Sequence, residues 1–130
     1  MKPQNVGSGR RSAYHRQVID GLVHRTRAYA SREEFYAVVD FLNGYAVGCR
    51  EFDLNVGFHD WLVVRLGGQA CSDAWPRLAL RVLCGDAVPR QRLFVGMERE
   101  LIQGLGRLLC EYLDEQDHGL TDSLPRSVVW

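Results

Sequence analysis

The stretch from Arg90 to His118 reads RQRLFVGMERELIQGLGRLLCEYLDEQDH, and its pattern predicts the longest helix of the chain. Its large apolar residues recur at spacings of three and four, which places them along one broad stripe of an α-helix. They are Leu93, Phe94, Met97, Leu101, Ile102, Leu105, Leu108, Leu109, Tyr112 and Leu113. Burying each of these side chains contributes about 1.5–3 kcal/mol to stability, so this one helix can anchor a hydrophobic core. Gly119 follows, and it suits the end of a helix near His118.

Four shorter helices are predicted ahead of the long one. The first begins at the N-cap Ser12 and reaches about Ala30. The second follows a capping box over residues 31–34, in which the Ser31 hydroxyl accepts from the Glu34 amide, and ends near Glu51. The third covers residues 58–66, and the fourth residues 74–83. The sequence therefore predicts an all-α fold, a single-domain bundle of about five helices with a long C-terminal helix.

One domain is predicted to span residues 1–130, which is an ordinary domain length. Residues 1–11 are polar and are expected to form a flexible N-terminus. Residues 119–130 form a C-terminal tail with an apolar end, which either docks on the body or belongs to a binding surface. No apolar run approaches the roughly 18 residues of a membrane span, and no secretory signal is recognised. A cytoplasmic protein without a membrane partner is expected.

The net charge is zero, but the charges are distributed unevenly. Residues 1–32 contain seven basic residues and one acid, whereas residues 98–122 contain seven acids and two arginines. Either the first and last helices lie near each other and attract, or they form basic and acidic surfaces for partners. In the second case, the candidate partner-binding residues are the acids of the long helix and an aromatic anchor at the end of the tail. These residues are Glu111, Asp114, Glu115, Asp117 and Trp130.

The sequence offers no clear constellation for catalysis, a cofactor or a metal ion. Glu115 and His118 form one Glu-x-x-His pair, but the di-iron bundles that use this pair need a second copy. His59 and Asp60 are adjacent, and neighbours on a helix point about 100° apart, so we expect them not to pair. The four cysteines lack a C-x-x-C spacing and are expected to be reduced and mostly buried, rather than disulfide-bonded or metal-bound. A protein that is not an enzyme is predicted, with no cofactor.

Nucleic acid is the alternative partner. The first predicted helix carries Arg16, Arg25 and Arg27, and arginines of this kind contact phosphate groups. Against this, the net charge is zero, whereas dedicated nucleic-acid-binding domains usually carry a positive charge. A helix-turn-helix built from residues 58–66 and 74–83 would need a seven-residue link, longer than the usual turn of three or four. Nucleic-acid binding through the first helix therefore stays the second hypothesis.

Three short segments carry a resemblance to known proteins. They are Asn43–Ala46, Gly57–Leu62 and Ala74–Leu78, within residues 35–83. Their aromatic and glycine positions resemble a pattern in small bacterial proteins, some of which are similar to the immunity proteins of polymorphic-toxin and contact-inhibition systems. The resemblance implies a non-enzymatic protein that binds a toxin domain and blocks its active site or substrate surface, without catalytic residues. We therefore expect a helical protein-binding module, which could also form a homodimer.

Overall fold

The computed structural model describes residues 3–49, 52–69, 71–85 and 95–129, and of residues 3–11, 95–96 and 119–129 it describes the backbone alone. These ranges form six α-helices, one π-helical turn and no strand. The helices are α1 (Pro3–His24), α2 (Thr26–Tyr29), α3 (Phe35–Gly48), α4 (His59–Arg65), α5 (Trp75–Cys84) and α6 (Val95–Val129), and the π-helical turn (Leu54–Phe58) leads directly into α4. The predicted all-α class with a long C-terminal helix is confirmed. None of the helices in the described ranges combines the length and apolarity that crossing a membrane requires.

The stripe predicted on the last helix forms the centre of the core. Its buried residues are Leu101, Ile102, Leu105, Leu108, Leu109, Tyr112 and Leu113. α6 packs against α1, α3 and α5, so three helices cover this stripe. Gly106 allows α1 to approach closely, because a Cβ at that position would collide with the Val23 side chain. Leu93 and Phe94, the first residues of the predicted stripe, lie outside the described residues.

The first helix differs from its prediction at both ends. α1 begins at Pro3 rather than after Ser12, and it ends at His24. Arg25 interrupts the helix with φ −133° and ψ 57°, and α2 follows as a single turn. A periodic pattern continues through one non-helical residue, so the prediction merged the two helices as far as Ala30. Ser12 is not an N-cap, because it lies inside α1 and its hydroxyl donates to a side chain of α6.

The capping box predicted before α3 is wrong. Residues 30–34 form bends, and α3 begins at Phe35 with Glu34 as an N-cap that makes no side-chain capping hydrogen bond. The Phe35 amide donates instead to Glu98 Oε1 on α6, at 2.7 Å. The first amides of a helix need an acceptor from outside the helix, and here a distant carboxylate provides one. The helix also ends earlier than predicted, at Gly48.

The last helix is longer than predicted. α6 continues to Val129, so Gly119 lies inside the helix and does not end it. Glycine accepts the right-handed helical conformation as well as the left-handed one, so its presence does not require a stop. The predicted tail of residues 119–130 is helical backbone as far as Val129, and Trp130 lies outside the described residues. The third and fourth predicted helices agree with α4 and α5 to within one residue at each end.

The π-helical turn docks α4 onto α6. Asp53 precedes this turn, and its carboxylate accepts a hydrogen bond from the Val56 amide at 3.1 Å. Phe58 closes the turn and is fully buried, with its ring centroid 5.3 Å from that of Tyr112 on α6. Gly57 lies against the Tyr112 hydroxyl, where a larger residue would collide. This docking places α4 beside the acidic half of α6.

Candidate functional site: an acidic surface on α1, α4 and α6

Arg16 on α1 joins two of the predicted binding carboxylates on α6. Its guanidinium lies 2.7 Å from the Asp114 carboxylate and 3.1 Å from that of Asp117. The Ser12 hydroxyl donates to Asp117 at 2.9 Å and accepts from Arg16 Nε at 3.3 Å. Burial lowers the pKa of the Arg16 guanidinium, but the two carboxylates outweigh burial, so the pKa is raised above its ordinary value. The first and last helices therefore do lie together with opposite charges in contact.

Arg65 on α4 binds a third predicted carboxylate, that of Glu111. The two side chains form an ion pair between α4 and α6, and they are 39% and 41% exposed. The same guanidinium lies over the Trp61 ring, with Cζ 4.4 Å from the ring centroid, which is a cation–π contact. The sequence analysis missed Arg65. The signal that reveals it is the four-residue spacing from Trp61, which places both side chains on one face of a helix.

These contacts belong to a larger surface, which we call the acidic surface. We define it by the carboxylates that pair with Arg16 or Arg65 or that act on Cys110 or Tyr112, together with the exposed Glu115 between them on α6. These seven are Asp20, Asp53, Asp60, Glu111, Asp114, Glu115 and Asp117. Among the side chains that the structure describes, Arg16 and Arg65 are the arginines that pair within it. Arg107 lies one helical turn before Glu111, at the edge of this set, and faces a groove beside α5. The surface therefore carries an excess of negative charge in a chain whose net charge is zero.

Carboxylates of both α1 and α6 act on the Cys110 thiol. Burial raises the pKa of this thiol, and the nearby Arg16 guanidinium opposes this effect. The carboxylates of Asp114, Asp20 and Glu111 raise the pKa of Cys110 further. Two of these carboxylates lie on α6 and one on α1, so the thiol reports a shared negative field.

Two carboxylates near α4 act on the phenol of Tyr112. Burial raises the pKa of the Tyr112 phenol, and the carboxylates of Asp53 and Asp60 raise it further. The ring centroid of Tyr112 lies 5.9 Å from that of Trp61, which carries the Arg65 guanidinium. Asp53 and Asp60 therefore act on the same ring pair beside which Arg65 binds Glu111.

The other predicted contact residues are placed differently. Glu115 is exposed, and no ion pair joins it to another described side chain. Arg25 and Arg27 are exposed at the junction of α1 and α2, whereas Arg16 faces the carboxylates of α6. The structure thus separates Arg16 from the other two arginines of the alternative hypothesis. Trp130, the predicted aromatic anchor, lies outside the described residues.

His59 and Asp60 make a contact that the sequence analysis excluded. His59 Nδ1 lies 3.1 Å from Asp60 Oδ1, so the expectation that these neighbours do not pair is wrong. Side-chain rotation brings the two groups together although their Cβ atoms diverge. On its other side, His59 Nε2 donates to the Asp73 carbonyl oxygen at 3.0 Å. These contacts connect the start of α4 to the loop before α5.

The four cysteines are separate thiols in the structure. Cys49, Cys71, Cys84 and Cys110 are free thiols and partly buried. Burial raises the pKa of Cys84 as well as that of Cys110, which keeps both thiols protonated at neutral pH. Across the part of the chain that is described, no three His, Cys, Asp or Glu side chains converge in a way that could hold a metal ion.

A groove lies between the end of α5 and the first half of α6. Its volume is about 410 Å³, and Leu83, Met97 and Leu101 are among its apolar lining residues. Glu100 and Arg107 contribute charged side chains to the lining. Cys84 also lines the groove, and its thiol is protonated at neutral pH because burial raises its pKa. The lining of the groove therefore combines apolar side chains, two opposite charges and one thiol.

Comparison with known proteins adds no relative: no family model matches the chain, and neither does any curated protein or solved structure.

Proposed function

We propose that this chain is a non-enzymatic binding module whose acidic surface binds a basic protein. The observation that carries this proposal is that Arg16 and Arg65 pair with only three of these seven carboxylates, which come from separate parts of the sequence. A surface of one sign increases the association rate with an oppositely charged partner and disfavours partners of the same sign. The resemblance to immunity-type proteins supports a toxin domain as the partner, which the module would neutralise by direct binding.

The internal ion pairs leave much of this surface open to a partner. Arg16 compensates part of the charge of Asp114 and Asp117, and Arg65 compensates Glu111. The remaining charge lies on more exposed carboxylates. The side chains of Asp20 and Asp60 are 74% and 72% exposed, and each contacts a neighbouring histidine, His24 at 3.3 Å and His59 at 3.1 Å. Glu115 is also exposed. These last three carboxylates are therefore the ones that a basic partner would meet first.

Nucleic-acid binding has weaker support from the same contacts. Arg16, one of its three proposed contact residues, is paired with Asp114 and Asp117, and neighbouring carboxylates repel phosphate groups. Arg25 and Arg27 remain exposed at the α1–α2 junction. Only two of the three arginines of this hypothesis are therefore free of the carboxylates of α6.

The test compares two variants with identical net charge. The surface variant carries Asp20→Asn, Asp60→Asn and Glu115→Gln. The control variant removes three exposed carboxylates elsewhere, through Glu34→Gln, Asp40→Asn and Glu100→Gln. The tagged wild-type chain is first used to isolate the partner from the native host, and the partner is identified by mass spectrometry. The purified partner is then titrated with each form of the chain at several salt concentrations.

We expect a basic partner whose Kd rises roughly tenfold with the surface variant and changes little with the control, because charges at an interface act locally. This difference should shrink as salt rises, since screening shortens the range of the interaction. Expression of the partner alone should slow growth, and the chain should relieve that effect. A partner that binds both variants equally contradicts the proposal. So does a nucleic acid whose binding disappears with Arg25→Ala and Arg27→Ala.

A further inference from the structure

Trp61 and Glu111 together form an arrangement that suits a guanidinium group. In the structure this arrangement holds Arg65, whose Cζ lies 4.4 Å from the Trp61 ring centroid and whose guanidinium pairs with Glu111. The electron-rich face of an indole attracts cations, and a carboxylate accepts hydrogen bonds from a guanidinium. The arrangement therefore has the chemistry of a cation-binding site, built from two separate helices.

The ring is held more firmly than the cation above it. Trp61 contacts the buried Phe58, with centroids 5.7 Å apart and planes at 17°, and it meets the Tyr112 ring at 5.9 Å. Arg65 is 39% exposed, and ion pairs of such exposure are weak because water competes for both charges. A long side chain also loses freedom when it is held in place. The guanidinium is therefore the exchangeable part.

The surrounding charge favours a second cation. Asp60 directly precedes Trp61 and is exposed, and Asp53 lies close enough to act on the Tyr112 phenol that touches the ring. Arg65 pairs with Glu111 and not with Asp53 or Asp60, so an incoming cation meets two carboxylates that Arg65 leaves uncompensated. Tryptophan and arginine are also the residue types that most often contribute strongly to protein–protein interfaces.

We propose that the Trp61 ring and the Glu111 carboxylate are a subsite for an arginine side chain of the basic partner, and that Arg65 occupies this subsite in the free chain. This inference rests on the proposed function, because it names the side chain through which the partner engages the acidic surface. On binding, the partner's guanidinium takes the place over the ring, and Arg65 moves into solvent.

The test empties the subsite and offers it a defined cation. Arg65→Met removes the guanidinium from an exposed position and keeps an unbranched side chain, and Arg65→Gln repeats the measurement with a polar replacement. The probe is the peptide acetyl-Gly-Arg-Gly-amide, and its citrulline analogue serves as the uncharged control. Binding to the full chain is followed by NMR at the Trp61 indole N–H, which is assigned through Trp61→Phe. Arg99→Met is the matched variant, because Arg99 forms a similarly exposed ion pair with Glu33.

We expect the arginine peptide to shift the Trp61 indole signal and to bind Arg65→Met about fivefold more tightly than the wild type. The citrulline peptide should bind neither, and Arg99→Met should behave like the wild type. The gain should disappear when Glu111→Gln is added to Arg65→Met. Equal binding to wild type and Arg65→Met, equal binding of both peptides, or a gain that survives Glu111→Gln would each overturn the subsite.

These results are separate from the test of the proposed function. A basic protein that loses affinity with the surface variant supports the proposed function, even if the Arg65 variants bind the peptide no better than the wild type. Conversely, if Arg65→Met captures the peptide but the partner of the chain proves not to be basic, the proposed function fails, and Trp61 and Glu111 remain a guanidinium site without that partner. Each failure therefore identifies which of the two inferences is wrong.

Discussion

Arg16 on α1 lies 2.7 Å from the carboxylate of Asp114 on α6, and this ion pair joins the first helix to the last. Asp117 accepts from the same guanidinium at 3.1 Å, so one arginine serves two carboxylates one turn apart. The basic residues near the start of the sequence and the acidic residues near its end therefore include side chains that pair with each other inside the fold. Part of the acidic surface therefore serves to hold the first and last helices together.

Arg16→Met should lower the free energy of unfolding by about 1 kcal/mol, measured by urea denaturation. The expected loss is modest because the Arg16 side chain is 31% exposed and water screens its ion pairs. Arg27→Met is the control, since Arg27 is exposed on α2 and its loss should change stability by less than about 0.5 kcal/mol. Equal effects of the two substitutions would show that the Arg16 ion pairs do not stabilise the fold.

Gly57→Ala should destabilise the protein by about 1–3 kcal/mol, because the new Cβ would collide with the Tyr112 hydroxyl oxygen. In a Tyr112→Phe background that oxygen is absent, and the nearest ring atom, Cζ, lies 3.4 Å from the Cβ position. The substitution should then cost much less. A double-mutant cycle from urea denaturation measures the difference. Additive effects of the two substitutions would contradict the predicted collision.

Gly44→Ala should have the opposite sign and raise the free energy of unfolding by up to about 1 kcal/mol. Gly44 lies inside α3 and is exposed, and nothing lies within 4 Å of the position that a Cβ would occupy. Alanine therefore stabilises the helix without any steric cost. The midpoint of thermal unfolding should rise accordingly. A lower midpoint would mean that α3 requires glycine at this position for a reason other than space.

Glu98→Ala should lower the free energy of unfolding by about 1 kcal/mol, because it leaves the Phe35 amide without its acceptor at the start of α3. Glu98→Gln retains an acceptor oxygen and should cost less. Urea denaturation of both variants measures the two losses. Ser31→Ala, which removes the side chain of the incorrectly predicted cap, should have almost no effect. A larger loss of unfolding free energy for Ser31→Ala than for Glu98→Ala would show that Ser31, and not Glu98, stabilises the start of α3.

The free energy of unfolding should fall as the pH rises above about 9. Burial raises the pKa of Cys84, Cys110 and Tyr112 above their ordinary values of 9.0, 9.0 and 10.0, so the folded chain keeps protons that the unfolded chain releases. The contribution of these groups is complete below the ordinary values and is lost as the pH rises through the folded ones. Tyr112→Phe should flatten the loss above pH 10, in urea denaturation under reducing conditions. An unchanged slope would contradict the shift at Tyr112.

The long helix could be predicted from sequence because a buried stripe is a local property of the chain. Residues such as Leu101, Leu105 and Tyr112 recur at helical spacing, and burial follows from that spacing alone. The start of α3 could not be predicted in the same way. Its first amide is satisfied by Glu98, which is 63 residues away, and a nearby Ser-x-x-Glu pattern gave a plausible but incorrect cap.

The candidate site also combines a property that is local in the sequence with one that depends on how the helices pack. The acidic character of Glu111, Asp114, Glu115 and Asp117 is visible in the sequence, because these residues are close along one helix. Their pairing with Arg16 and Arg65 depends on how α1 and α4 pack against α6, which no local pattern encodes. Asp20, Asp53 and Asp60 join the surface for the same reason. The charge was predictable, and its distribution over three helices was not.

The contacts of Ser12 and Arg16 with Asp117 also constrain how the chain acquires its fold during synthesis. A ribosome makes α1 first, yet the carboxylates that bind it are translated about a hundred codons later. Until then, the apolar side of α1 has no α6 to cover it, and exposed apolar helices of this kind are substrates for chaperones and proteases. Closure of the bundle is thus a late event in the life of the nascent polypeptide.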